Sequence, residues 1–474
     1  MTILTILILA AFALLIRLTC RSTGRGLVLL ITSLLAIFWL QPSMPIRNLD
    51  FWLPVLTVLL TLFTWEITAT PEERLSRHNF VTLGVSAAVF LLVGLTRYLG
   101  VKGVITPSQP PPTWQVLAGI ILLAGLFLAL RLAKKTIPAL LWIGFALILG
   151  FFVVLKLPAL TGLTSSGLHL LMGQSVGHVS ALDIRWLGFS YVAFRLIHTI
   201  RDRQSGRLPK VTLQEYFIYI IFFPSFTAGP IDRIERFITD LRQPKPMTAE
   251  DLGEGGKRLA VGLFKKFAIA DTLGLIALNA TNATQVQGTG WTWLLLYAFA
   301  FQIYFDFSGY TDVAIGMARW LGFSLPENFN HPYLKSNLTL FWNSWHMTLT
   351  QWFRSYFFNP VTRSLRSAKK QLNPIFILLL TQLGTMVLIG LWHGITWNFA
   401  AWGLWHGLGL FIQNRWSAWI HPRTTWLDKR PVPKAIFTGL GILLTFNYVA
   451  LGWVWFALPT LQSSLAVFGK LLGG

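Results

Sequence analysis

Two histidines stand where an imidazole could do chemistry. His393 closes the apolar run Ile375 to Leu391, in the string Gly390-Leu-Trp-His-Gly394. An imidazole at membrane depth needs a hydrogen-bond partner, and it can exchange protons near neutral pH. It can equally be a structural bridge between helices. His346 belongs to a polar stripe: Thr339, Asn343, His346, Thr350 and Arg354 follow at spacings of four, three, four and four. On one helix from about Leu338 to Phe358 these residues share a face. Ser336 or Asn337 can cap that helix. Its other face carries Phe341, Trp342, Trp345, Phe353, Tyr356 and Phe357. Periodicity favours a helix lying at the membrane surface with its polar face in water. The alternative is a stripe lining a polar cavity within the protein.

Carboxylates come next. Asp306, Ser308, Tyr310, Thr311 and Asp312 interrupt an otherwise apolar helix. Ionisable residues inside membrane segments are costly and point to function by default. An ion pair with Arg319 is the structural alternative. A second Trp-His-Gly occurs at Trp405-His406-Gly407. If the chain were helical throughout, the thirteen residues between His393 and His406 would span roughly 20 Å, too far for one site. No two histidines have metal-ligand spacing on a helix, so no metal is expected. No phosphate-binding loop, dinucleotide fingerprint or G-x-S-x-G elbow occurs either. Histidines and carboxylates of this kind suit proton abstraction from a hydroxyl without a metal. They suit proton-coupled transport as well.

The elements that must position these residues are membrane helices. Hydrophobic residues make up 54% of the chain and charged residues 12%, about half the charge of a soluble domain. Apolar runs recur at Thr2–Ile16, Gly26–Leu40, Phe80–Leu95, Trp114–Leu130, Pro138–Leu155, Ile375–Leu391 and Ala435–Leu458, with weaker ones between. At roughly 20 residues per span, an all-α polytopic membrane protein with about 10 to 13 embedded helices is expected. The charge of +21 sits in short loops. Its clusters are Arg17, Arg21 and Arg25; Arg131, Lys134 and Lys135; Arg201, Arg203, Arg207 and Lys210; Arg363, Arg366, Lys369 and Lys370; and Arg415, Arg423, Lys429, Arg430 and Lys434. This is the positive-inside pattern, so these clusters are expected in the cytoplasm and no nucleic-acid partner is implied. The later clusters could also attract an anionic donor or carrier. The N-terminal run lacks a basic lead and an A-x-A site, so it reads as a retained helix. Cys20 is the sole cysteine, which excludes an internal disulfide.

Residues 1–185 read as apolar helices with little buried polarity. Residues 186–474 hold the chemistry, in one integral unit with the first part. Tyr216 to Pro230 is aromatic, broken by Pro224, and lies between two highly charged stretches. It reads as a segment that enters the membrane and returns, which requires burial in protein or a cavity lining.

Four stretches resemble the membrane-bound O-acyltransferase (MBOAT) family, in its bacterial branch of alginate O-acetylation and teichoic-acid D-alanylation membrane proteins. They are Tyr219–Pro230 (YIIFFPSFTAGP), Gly262–Asp271 (GLFKKFAIAD), the run from Phe305 through Pro326–Asn330 and Phe341–His346 to Pro360, and Leu391–Gly394. Their order spans roughly Leu187 to Leu410. The resemblance implies a ring of tilted helices around a thinned centre, with a tunnel joining the two membrane faces. It implies His393 as general base and His346 as its partner, with Asn343, Trp345, Asp312, Tyr310 and Trp392 as substrate-binding candidates. The polar stripe would then line the tunnel and the Trp345 side would seal it against lipid. It also implies a bacterial inner-membrane location. No cofactor is expected. The donor would be acetyl-CoA or an acyl-carrier-protein thioester, and the acceptor an extracytoplasmic polysaccharide, glycolipid or partner, such as an SGNH-type transferase in a relay. The chain departs from the family pattern at Asn343, where Arg is usual, and at Arg354-Ser355, where an Arg-Asp pair is usual. The competing class is a transporter or flippase for a lipid-linked saccharide, which internal repeats would favour; none is evident.

Overall fold

Long apolar runs satisfy their backbone groups internally, and in lipid that requires helix. The computed structural model describes residues 2–20, 22–100, 103, 105–132, 138–177, 179–368 and 372–474. Arg21, Lys134, Lys135, Lys369 and Lys370 of the basic clusters lie outside them. The described residues are α-helical with no strand, as expected for an all-α membrane protein. Among the described residues, five helices are long and apolar enough to cross a membrane: Leu49–Thr68, His78–Leu99, Ala139–Lys156, Pro374–His393 and Pro431–Ala457. Ile3–Thr19, Gly24–Trp39 and Thr113–Ala129 are shorter apolar helices.

The chain divides into two compact units. The first holds residues 1–259 and 313–326; the second holds 260–312 and 327–474.

In the first unit the helix Leu49–Thr68 is buried along most of its length. This half is not poor in buried polarity, contrary to the reading from its sequence. Buried Glu66 lies between Arg74 (3.7 Å) and Arg131 (3.6 Å). Buried Asp50 accepts from the Ser108 backbone, and Arg25 donates to the Leu321 carbonyl. These groups sit singly on apolar helices, where a window average hides them. Tyr216–Pro230 is largely buried in protein. The helix Leu213–Ile221 ends there, and the following turns are almost wholly buried in protein. Arg195, 2% exposed, donates to the carbonyls of Tyr219, Ile220 and Ser225 and to the Ser225 hydroxyl, at 2.7 to 3.2 Å.

In the second unit the helices Pro374–His393 and Trp397–Thr424 form a hairpin broken at Gly394–Thr396. Small residues let membrane helices approach closely. A methyl group at Gly403 would lie 2.6 Å from the Met386 carbonyl oxygen and the Val387 Cα, and one at Gly390 would lie 2.2 Å from the Phe399 carbonyl. Both obstacles are backbone, so they cannot rotate away. Gly403→Ala is expected to destabilise the chain by about 1–3 kcal/mol through overpacking. Thermal unfolding in detergent, with Gly439→Ala as the control at a glycine with open space around it, reads the difference.

Candidate functional site

The second unit contains both candidate histidines and the elements that hold them. The helix Leu338–Trp342 is capped by Asn337, whose side chain accepts from the Leu340 N–H at 2.9 Å. The expected continuation to Phe358 does not occur. The chain turns at Asn343–His346 and resumes as Met347–Phe353, followed by a π-helical segment, Arg354–Phe358. His346 has φ 42° and ψ 54°, in the left-handed region. For a non-glycine residue this costs about 1–2 kcal/mol. Such strain persists only where the surroundings over-determine it.

Asn328 supplies much of that constraint. It is fully buried. Its carbonyl accepts from the Met347 N–H at 2.9 Å. Its side-chain oxygen accepts from the Thr348 N–H at 3.3 Å and the Thr348 hydroxyl at 2.6 Å. Asn330 N–H donates to the Ser344 carbonyl. The loop of the Pro326–Asn330 motif thus caps the helix after His346 from outside. Local propensity could not reveal the break, because the cap comes from about twenty residues upstream.

The His346 imidazole is 3% exposed. It meets Phe307 edge-on at a centroid distance of 4.6 Å and Trp392 at 6.1 Å. Trp392 in turn lies 4.5 Å from His393. His393 ends its helix and packs among Phe399, Trp402 and Phe456 at 5.9, 5.7 and 4.7 Å. Both imidazoles therefore pack against one indole among aromatic rings. His406 is fully buried and touches Trp402 at 4.9 Å. The uninterrupted helix on which the 20 Å separation depended is absent. The chain reverses at Gly394–Thr396, and Trp402 contacts both His393 and His406.

The other candidates are dispersed. Trp345 is 5% exposed and packs with Phe329, Tyr333, Phe341 and Trp453 at 5.2 to 5.7 Å. It belongs to a buried aromatic core and does not form a seal against lipid. Asn343 is exposed and accepts from Arg354 at 2.7 Å. Thr339, Asn343, Thr350 and Arg354 all line a cavity of about 140 Å³, with Gln382 and Thr385. Four of the five stripe residues thus border this cavity, and His346 is not among its lining residues. Tyr310 is half-buried.

Asp312 pairs with Lys265 at 2.6 Å, and Asp306 with Lys266 at 2.5 Å. The partner that the sequence suggested, Arg319, pairs in the first unit with Asp251 at 3.1 Å. The lysines lie on a π-helical segment, Phe264–Ala270. Gly309 allows the close approach: a methyl there would lie 2.7 Å from the Gly262 carbonyl.

If His346 carries backbone strain, His346→Gly is expected to be more stable than His346→Ala by about 1 kcal/mol, because both lose the imidazole and only glycine relieves the φ. Denaturation midpoints of the two variants decide this; equal midpoints would deny the strain.

Comparison with known proteins adds context to this geometry. The model of the membrane-bound O-acyltransferase family matches residues 131–451. The chain is 33% identical to a teichoic acid D-alanyltransferase of Streptococcus thermophilus, over 58% of this chain and 68% of that one. It is 34% identical to a probable alginate O-acetylase of Pseudomonas aeruginosa, over 58% and 49%. It is 29% identical to a peptidoglycan O-acetyltransferase of Helicobacter pylori, over 65% and 58%. The match thus spans about half the length of the alginate relative.

Proposed function

We propose a reaction from one premise: this chain belongs to the membrane-bound O-acyltransferase family. It moves an acyl group, acetyl first, from a cytosolic thioester to a hydroxyl on an extracytoplasmic polysaccharide, glycolipid or relay partner. The donor is acetyl-CoA or an acyl-carrier-protein thioester, and the setting is a bacterial inner membrane. The observation that carries this reading is that both imidazoles pack against the ring of Trp392, at 6.1 and 4.5 Å, among aromatic rings.

A thioester carbonyl reacts without a covalent enzyme intermediate. His393 takes the acceptor hydroxyl proton as its oxygen attacks the thioester carbon. The tetrahedral intermediate collapses, the C–S bond breaks, and the proton passes to the departing thiolate. General-base help of this kind contributes about 10²–10⁴-fold. His346 orients the acceptor or polarises the carbonyl. Fixing its position through a strained turn keeps the reacting groups in register, and register is a large part of catalysis. The cavity bordered by Asn343, Thr350 and Arg354 offers amide and cationic groups to a polar donor arm. Lys265–Asp312 and Lys266, shared between Asp306 and Asp271, fit a supporting role, since each carboxylate is paired with a cation.

His393→Ala is expected to lower turnover of labelled acetyl-CoA by about 10²-fold or more in nanodiscs. The assay is loss of the thioester in the presence of an acceptor. Equal turnover of variant and wild type would remove His393 as the base. Label recovered on a co-purified SGNH-type transferase would make the relay the physiological route.

A further inference from the structure

A cluster with no part in acyl transfer lies in the first unit. His198 and Asp202 stand one turn apart on the helix Phe189–Gln204, with side chains 1% and 2% exposed. His198 Nε2 is 2.8 Å from Asp202 Oδ2. Glu235, on the helix Ile234–Arg242, brings a third group: one ligand atom from each residue lies within 4.8 Å of the others. Glu235 Oε2 is buried and makes no hydrogen bond.

The hydrogen-bond directions around His198 show what the cluster must hold. Tyr219 donates its single hydroxyl proton to the Asp232 carbonyl at 2.8 Å. The same Tyr219 oxygen lies 3.2 Å from His198 Nδ1. With its proton committed, Tyr219 accepts there, so Nδ1 carries the hydrogen. In a neutral imidazole, Nε2 is then a lone pair facing the carboxylate of Asp202, with that of Glu235 beside it. Lone pair against carboxylate is repulsive, so a cation belongs between them. Arg207 answers Asp202 Oδ1 at 3.0 Å. Arg236 is engaged with Asp232. A proton on Nε2 would satisfy Asp202 but would leave Glu235 Oε2 without a donor. A metal ion satisfies all three groups together.

We propose that His198 Nε2, Asp202 Oδ2 and a Glu235 carboxylate oxygen bind a divalent transition-metal ion, Zn²⁺ first, with water as fourth ligand. Ligands at 2.0–2.2 Å from a tetrahedral ion stand about 3.4 Å apart, so Nε2 and Oδ2, at 2.8 Å, part by a few tenths of an ångström to admit it, within a cluster that spans 4.8 Å. One imidazole with two carboxylates suits Zn²⁺ or Mn²⁺; Ca²⁺ takes six to eight oxygens. The outer contacts match those of metal-bound histidines, whose other ring N–H is held by a fixed acceptor. Here that acceptor is Tyr219, itself fixed by the Asp232 carbonyl. The ion ties the helix Phe189–Gln204 to the helix Ile234–Arg242 across the buried turns of residues 222–230. Its role is structural, so the site stands or falls apart from the acyl-transfer reading.

The test is metal analysis of the full-length chain purified in detergent without chelator. Wild type is expected to carry about one equivalent of Zn²⁺ or Mn²⁺, since a built site binds tightly. Glu235→Gln and His198→Gln should carry about a tenth of that or less. A second arm needs no variant: chelator-stripped wild type should unfold at lower temperature and recover with Zn²⁺ but not with Mg²⁺ or Ca²⁺. Wild type free of transition metal and unmoved by added Zn²⁺ would overturn the site in favour of an imidazolium between two carboxylates. Full metal retention in Glu235→Gln would overturn it too.

Discussion

The contacts of Asn328 with Met347 and Thr348 hold the arrangement around His346 together. A continuous helix from Leu338 to Phe358 would place His346 on a face with Asn343 and Thr350. The Asn328 carbonyl and side chain capture the first donors of the second helix instead. The backbone then passes through a left-handed residue at the histidine itself. Charged or polar capping atoms are strong competitors for helix donors when buried, because an unsatisfied N–H costs about 1–3 kcal/mol there. That is comparable to the cost of the left-handed turn. One buried asparagine is therefore enough to offset the strain and set the direction of the imidazole.

Around His393 the constraint is packing. Gly390 and Gly403 bring two long helices together until backbone touches backbone. Between membrane helices such contact, rather than the hydrophobic effect, drives association. The rings of Trp392, Phe399, Trp402 and Phe456 fill the space left beside the imidazole. His346 and His393 are thus held by different means, one by backbone hydrogen bonds and one by close packing. They meet through the single indole of Trp392.

Much of this was legible in the sequence, and what was not has identifiable causes. Apolar runs report helices well, because twenty residues of one character leave little choice of structure. His393 and the Asp306/Asp312 pair stood out because polar groups are rare in such runs. The break at His346 was invisible, because its cause lies at Asn328, some twenty residues upstream. The partners of the two aspartates were missed for the same reason: Lys265 and Lys266 are distant in sequence and approach where Gly309 leaves room beside the Gly262 carbonyl. The buried charges of the first unit, such as Glu66 between Arg74 and Arg131, were lost in averages that count residues without locating them. A search for paired histidines likewise passes over His198, whose neighbours are carboxylates on two different helices.

The two histidine positions also differ electrostatically, and the difference bears on their assigned roles. His393 is the last residue of a 20-residue helix. The carbonyls of a final turn are not all satisfied within the helix, and they present partial negative charge. Behind His346 ends the five-residue helix Leu338–Trp342. His346 precedes the first turn of its helix, whose leading donors are already taken by Asn328. A base must become positive as the hydroxyl is deprotonated; a positioning group need not. That asymmetry supports the proposal that His393 is the base and His346 the group that holds geometry.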